Sequence, residues 1–474
     1  MVFAVVVVVV LGLVNLPLPY FGDQGLYSLG ARELGAGQRL YADWWDFKQP
    51  GIFVFFRVAS LLFGFREWGA HLLGLVWLLG WTLLAVRLLR DRWAVTWGPA
   101  AFVLASLGLY EVTAQPRHME QLEILCAPVV LVGLLLVRRA IDEDASRLAL
   151  LGGLCGGLTA AFKLQYGVLV GVPLVVALVA TRRLPWRTWL LAGLGVVLPV
   201  LVVLLWYARQ DALTELGDAW FAYPRRLLAE GSTRDAARFT DMVKGTATLL
   251  APLLVLAVVG VADRVRNRTA DRSVVDLVVA VAAMGVLNLV QLWNDYHFLL
   301  LFSALAVLAV DGLVAIAAQR RAVVLGAAAV VLVAAAPSLA HEAKKGLAIV
   351  GHPGDGPAIQ EELSPGYADV AATGRALGAL DGEVFAFADP TVFLYAGRAQ
   401  ALRFNGWSPQ DLLDDQWAEL ATGVLDPRLV RYVFVQDGFD GQFDGAGTAF
   451  ADALADHFDA VDQLPLGVLY ERRP

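Results

Sequence analysis

Cysteine, histidine and charge are all scarce in this sequence. Its 474 residues include two cysteines, Cys126 and Cys155, both in apolar runs. Two such residues build no disulfide framework and no cysteine-based metal cluster. Charged residues make up 17% of the chain, against about 25% in soluble domains. The net charge of −7 leaves no basic footprint for nucleic acid. The Asp–Gly segment DGFDGQFDGAG (437–447) lacks EF-hand spacing and reads as a loop of turns. The opening run VFAVVVVVVLGLVNLPLPY lacks the basic flank and small-residue cleavage site of a secretory signal, so it reads as a retained span. No internal repeat stands out of the kind that builds many transporters.

What is abundant is apolar sequence. Hydrophobic residues reach 58% and mean hydropathy is +0.62. Apolar runs of about 17–20 residues recur, long enough to cross a hydrocarbon core of roughly 30 Å. The expected fold is a mainly α, polytopic transmembrane bundle. Eleven spans are expected, at 2–20, 67–86, 94–112, 121–137, 148–163, 166–181, 188–207, 245–262, 274–293, 297–318 and 322–340. Residues 1–340 form the expected membrane domain. Residues 341–474 change character: strand-like VFAFAD (384–389) and YVFVQ (432–436) alternate with helix-like TVFLYAG, DLLDDQWAEL and AFADALADHF. They read as a small soluble α/β domain.

Loop charge sets an expected orientation. The short loops at 87–92, 138–147, 182–187, 263–272 and 319–321 together hold fifteen Lys and Arg residues. Under the positive-inside rule they face the cytoplasm. The N-terminus is then inside, and the loop 21–66 and the C-terminal domain are outside.

That first outer loop gathers most of the chemistry. It carries Asp23, Tyr27, Asp43, Trp44, Trp45, Asp46 and Lys48. SLGARELGAG and GIFVFFRVASLLFGF within it read as helices lying in the membrane interface. Asp23 follows the first span, where partial desolvation makes a carboxylate a better base; it also suits a helix N-cap. Tyr27 is placed to hydrogen-bond a substrate. Asp43 and Asp46 flank two tryptophans and suit sugar hydroxyls, or plain solvation. Two carboxylates in one loop invite a divalent cation, and no spacing here specifies one.

Other charges sit at span ends. Glu120 and Glu123 lie one helical turn apart, on one face. An acid beside a span is costly and often functional; the alternative for Glu120 is an ion pair with Arg117. Lys48, Lys163, Arg225, Arg226 and His297 are candidates for a phosphate. The alternatives are snorkelling for Lys163, a solvated turn for Arg225 and Arg226, and a span cap for His297.

With these residues in view, the chain resembles the GT-C membrane glycosyltransferases, in particular bacterial relatives of protein O-mannosyltransferases and aminoarabinose transferases. The resemblance rests on Asp23-Gln24-Gly25-Leu26-Tyr27, Gly37, Tyr41-Ala42-Asp43 and Lys48-Gln49-Pro50-Gly51. Glu120, Phe162-Lys163-Leu164-Gln165 and Tyr296-His297-Phe298 add to it. Gln24 and Gln49 stand where the family carries a second acid and a first proline. The resemblance implies transfer of a sugar from a polyprenyl-phosphate donor, at the outer face of a bacterial plasma membrane, to a glycan, lipid or protein acceptor. It implies a catalytic Asp in the first loop, at Asp23, with Glu120 as a second catalytic acid. Two other classes share the many spans: a transporter or lipid flippase, and a non-catalytic cell-envelope assembly protein, which the exchange of an acid for Gln24 favours.

Overall fold

A computed structural model describes residues 1–182, 186–230, 236–269, 271–291, 294–319, 336, 339–407, 411–439, 441 and 443–474. Seven helices among them are long and apolar enough to cross a membrane: Glu67–Leu89, Leu122–Asp142, Leu164–Thr181, Trp186–Arg209, Ala237–Arg266, Arg272–Leu289 and Asp295–Ala317. They coincide with seven of the eleven predicted spans. Three more predicted spans fall on shorter apolar helices: α1 (Val2–Asn15), Gly98–Thr113 and Ser146–Phe162. The eleventh, 322–340, lies almost entirely outside the described residues, as do parts of the basic loops at 182–187 and 319–321 and of the Asp–Gly loop.

The chain folds as two compact units, each assembled from separate stretches. The first comprises Met1–Leu16, Ala70–Leu204 and Thr233–Gly351. Its helices are apolar all round, so packing rather than amphipathic patterning decides which face is buried. Leu122–Asp142 is 83% buried over its most apolar window and forms the centre, whereas Trp186–Arg209 is 17% buried and presents its sides outward. Small residues let these helices touch. Where Ala236–Arg266 meets Phe302–Ala317, a Cβ on Gly312 would lie 2.0 Å from the Leu256 carbonyl oxygen, and one on Gly260 would lie 2.4 Å from that of Leu308. Several buried charges within this unit are paired. Arg138 grips Asp276 with two hydrogen bonds of 2.6 and 2.9 Å, and Asp311 accepts from Arg92, Trp93 and Arg264. The expected break between the fifth and sixth spans is present: Ser146–Phe162 stops, Lys163 is extended, and a 3-10 turn starts at Leu164.

The second unit comprises Pro17–Gly69, Leu205–Ser232 and His352–Pro474. Both expected loop helices form, as α2 (Asp23–Gly35) and α3 (Pro50–Phe63). Proline at the first position of α3 has its φ preset for a helix. The unit also holds a four-stranded sheet in the order β1-β2-β4-β3. Its strands are β1 (Val384–Phe387), β2 (Tyr432–Gln436), β3 (Phe458–Leu464) and β4 (Gly467–Arg472). β1 and β2 are parallel, and the other pairs are antiparallel. β1 and β2 are the two strands expected from the sequence. The helices Thr391–Ala396 and Asp414–Leu425 connect them, as parallel strands require. The free edge of β1 is covered from within: the Gln400 side chain accepts from Ala386 N–H and donates to Ala386 C=O, at 3.0 Å each. Phe385, Phe387, Trp417, Phe443 and Phe450 fill the core, and Trp45 and Tyr223 join it.

Candidate functional site

Asp23 is the first helical residue of α2, not its cap; Gly22 holds that position with φ +47° and no side-chain cap. Only glycine fits there, since an added Cβ would stand 2.1 Å from the Trp407 ring. The Asp23 carboxylate faces Lys48, whose Nζ is 3.3 Å from Asp23 Oδ1 and 3.8 Å from Asp46 Oδ2. Both Asp23 and Lys48 retain a little exposure, 15% and 14% of their side chains. A lysine between two carboxylates leaves those two acids a poor fit for a divalent cation, because the ammonium already occupies the space between them. Among the described residues, no group of three or more His, Cys, Asp or Glu side chains is placed to hold a metal.

The segment that carries Lys48 is braced at several points. Tyr41 has φ +74°, its hydroxyl donates to Lys48 C=O at 2.8 Å, and its ring stacks on Tyr207 at 5.5 Å. Asp46 Oδ1 accepts from the Lys48 N–H at 2.7 Å and Oδ2 accepts from Asn405 Nδ2 at 3.3 Å. Burial pushes the Asp46 carboxyl above its ordinary range, against the pull of the Lys48 charge. Burial alone would pull the Lys48 ammonium down, but the Asp46 and Asp23 carboxylates outweigh it and hold Lys48 firmly protonated. Beside these groups lies a small cleft of about 20 Å³, lined by Trp45, Asp46, Phe47, Asn405, Asp411 and Leu412.

Other expected site residues of this unit are occupied differently. Tyr27 is fully buried, its ring against Phe53 and Phe56, with Lys48 Nζ 5.7 Å above it. Asp43 is turned away in an exposed pair with Arg39 at 2.8 Å. Arg225 is exposed, and Arg226 forms a two-point pair with Asp415. Both arginines belong to a short helix, Tyr223–Glu230, not a turn.

The membrane unit holds the remaining candidates in two buried clusters. Glu120 precedes the helix Leu122–Asp142 and has φ +46°. That left-handed backbone puts it off the helix face, so it does not share a face with Glu123. Glu120 Oε2 lies 2.6 Å from His71 Nδ1. Arg117, its expected partner, pairs instead with Asp295 at 2.8 Å. Glu123 belongs to the second cluster: its Oε1 is 2.7 Å from Lys163 Nζ and accepts from the Tyr166 hydroxyl at 3.2 Å. His297 Nε2 stands 3.9 Å from the same oxygen. Lys163 is therefore held by a buried acid rather than extended to a surface. His297 lies inside a 3-10 turn whose N-cap position is Asn294, so it does not cap the span itself.

Sequence reasoning passed over His71, Asp295, Asp389 and Asn405. His71 and Asp295 carry no local signal, since their partners are 49 and 178 residues away. Asp389 did carry one: it closes the strand-like segment VFAFAD of an α/β domain, and strand ends are where such sheets place functional side chains.

No protein-family model and no curated protein sequence matches the chain. Solved structures do match. ArnT from Cupriavidus metallidurans, an aminoarabinose transferase bound to undecaprenyl phosphate, aligns over 99% of this chain and 97% of its own with a TM-score of 0.63 at 17% identity. Its apo state gives 0.62 over the same shares, also at 17% identity. The oligosaccharyltransferase of Archaeoglobus fulgidus, tethered to an acceptor peptide, gives 0.49 at 12% identity over 100% of this chain and 74% of its own. The chain thus has the GT-C fold of a multi-pass membrane protein, shared with ArnT along nearly its whole length.

Proposed function

We propose that this chain is a glycosyltransferase of the GT-C type that moves a sugar from a polyprenyl-phosphate donor to an acceptor at the outer face of the membrane. The observation that carries this reading is the Asp23–Lys48 pair at 3.3 Å, built on an ArnT-like fold. Undecaprenyl phosphate bound to ArnT supports the donor class.

The chemistry assigns each group a role. The acceptor hydroxyl oxygen attacks the anomeric carbon of the donor sugar. Its proton passes to Asp23 as general base. The bond from the anomeric carbon to the phosphate oxygen breaks, and polyprenyl phosphate leaves with the electron pair. Lys48 stabilises the charge that grows on that phosphate. Lys163, Arg225, Arg226 and His297 are the further cationic candidates; Lys163 and Arg226 already hold carboxylates and would take a phosphate by exchanging partners. Tyr27 and Asp46 support Lys48. Glu120, with His71, is the second proposed catalytic acid. Residues 1–340 are proposed as the transferase domain and 341–474 as an extracytoplasmic domain, with the N-terminus in the cytoplasm of a bacterium.

Purified protein in lipid nanodiscs, given radiolabelled polyprenyl-phosphate sugar, tests this. Asp23→Asn keeps the shape of the side chain but cannot take the proton. A general base supplies roughly 10²–10⁴-fold in rate, so a loss of that size is expected. Transfer by Asp23→Asn at the wild-type rate would remove Asp23 from the chemistry. Absence of transfer with any polyprenyl-phosphate sugar by the wild type would favour the flippase or assembly reading.

A further inference from the structure

The carboxyl ends of parallel strands are where open α/β sheets present groups to a ligand. In this chain the ends of β1 and β2 present Asp389 and Gln436, and what they meet is the chain's own first loop. Gly22 N–H, at the start of α2, donates to Asp389 Oδ2 at 3.2 Å. The other carboxylate oxygen, Oδ1, accepts from Thr391 N–H at 2.8 Å. The backbone of Asp389 is anchored in turn, because its N–H donates to Gln436 Oε1 at 2.9 Å. Two strand ends thus fix one carboxylate, and that carboxylate fixes the backbone N–H of Gly22, the residue before Asp23.

The fit around this contact is close. Gly22 carries the positive φ that sets the direction of α2, with Trp407 against it. One turn later, a Cβ on Gly25 would stand 2.3 Å from Thr391 Oγ1. The start of α2 therefore rests on the turn after β1 at two glycines, and Asp389 is the hydrogen-bonding group between them. Burial pushes the Asp389 carboxyl above its ordinary range, and the nearby Asp23 charge adds to that.

We infer that Asp389 is a positioning residue that holds Gly22 and so aims the Asp23 carboxylate. The inference rests on the reading of Asp23 as general base. It gives the C-terminal sheet a part in catalysis that involves no contact with substrate. A displacement of the order of 1 Å at a reacting group costs about 10²-fold, which sets the scale of the effect.

The test compares Asp389→Asn and Asp389→Ala with wild type in nanodiscs, each rate expressed per folded enzyme from tryptophan-fluorescence melting. Asn keeps the shape but turns an NH₂ or a single oxygen toward two N–H donors. The expected result is a fall in kcat of about ten- to a hundredfold, with KM for a polyprenyl-phosphate sugar unchanged. Deuterium exchange of the amides at 22–25 should rise in the same variants. In an Asp23→Glu background, where the carboxylate is already displaced, Asp389→Asn should add less than a further twofold. An unchanged kcat in both variants overturns the inference, as does a loss that multiplies in full with Asp23→Glu. Neither result touches the role of Asp23, which is read from Asp23→Asn alone.

Discussion

Lys163 Nζ and Glu123 Oε1 lie 2.7 Å apart inside the membrane unit, with 13% and 1% of their side chains exposed. The lysine that interrupts GGLTAAFKLQYGVLV is therefore neutralised where it stands. Removing one member of a buried pair leaves the other charge uncompensated, at about 3–5 kcal/mol. Lys163→Met should lower the melting temperature in detergent clearly. Lys163→Met combined with Glu123→Gln should recover most of that loss. Equal melting of single variant, double variant and wild type would show that the pair carries no stability.

Asp46 gives a prediction in pH. Burial raises its carboxyl above the ordinary 3.8, so the folded state favours the protonated form. The stability from that preference is complete below pH 3.8 and is lost as pH rises through the folded value. Asp46→Asn does not ionise and escapes this loss. Its melting temperature relative to wild type should therefore climb as pH rises above the ordinary carboxylate value of 3.8. A difference that stays flat over that range would mean that Lys48 cancels the burial of Asp46 completely.

Orientation can be read by labelling. Cys126 and Cys155 are both buried, so the background is low. Cysteines at Ser364 and at Asp91, whose side chain is 76% exposed, should differ on intact cells. An impermeant maleimide should reach position 364 and spare position 91. The reverse pattern would invert the proposed topology.

The parts of this molecule legible in its sequence are those written in local composition. Apolar runs mark the helices Leu122–Asp142 and Ala237–Arg266 because a span needs only length and hydropathy. Short, continuous apolar runs rich in aromatic residues and valine mark β1 and β2. β3 was missed because five of its seven residues are exposed, which removes the apolar signal of a buried strand. The loop acids Asp23 and Asp46 and the phosphate candidate Lys48 were visible, yet their pairing was not, because spacing in sequence does not say which way Lys48 turns. Composition also changes near 341, but the stretch Pro17–Gly69 belongs to the same compact unit as His352–Pro474. Hydropathy reports the medium around a residue; it carries no record of which distant stretch shares that medium. Arg117 shows the same limit: its neighbour Glu120 looked like the partner, and Asp295 is.

The covered edge of β1 bears on crowding. A membrane holds every copy of a protein in one plane with the same side up, so like surfaces meet far more often than they do in a cytosol. An open strand edge in that setting invites one copy to extend its sheet into the next. Gln400 closes one edge with its own amide. The other edge, β3, displays Asp462 to solvent, with Asp459 held by Arg473 at 2.8 Å, so a second copy approaching this edge meets charged side chains rather than an apolar strand. The sheet is thereby fitted to dense lateral packing without fusing to its neighbours.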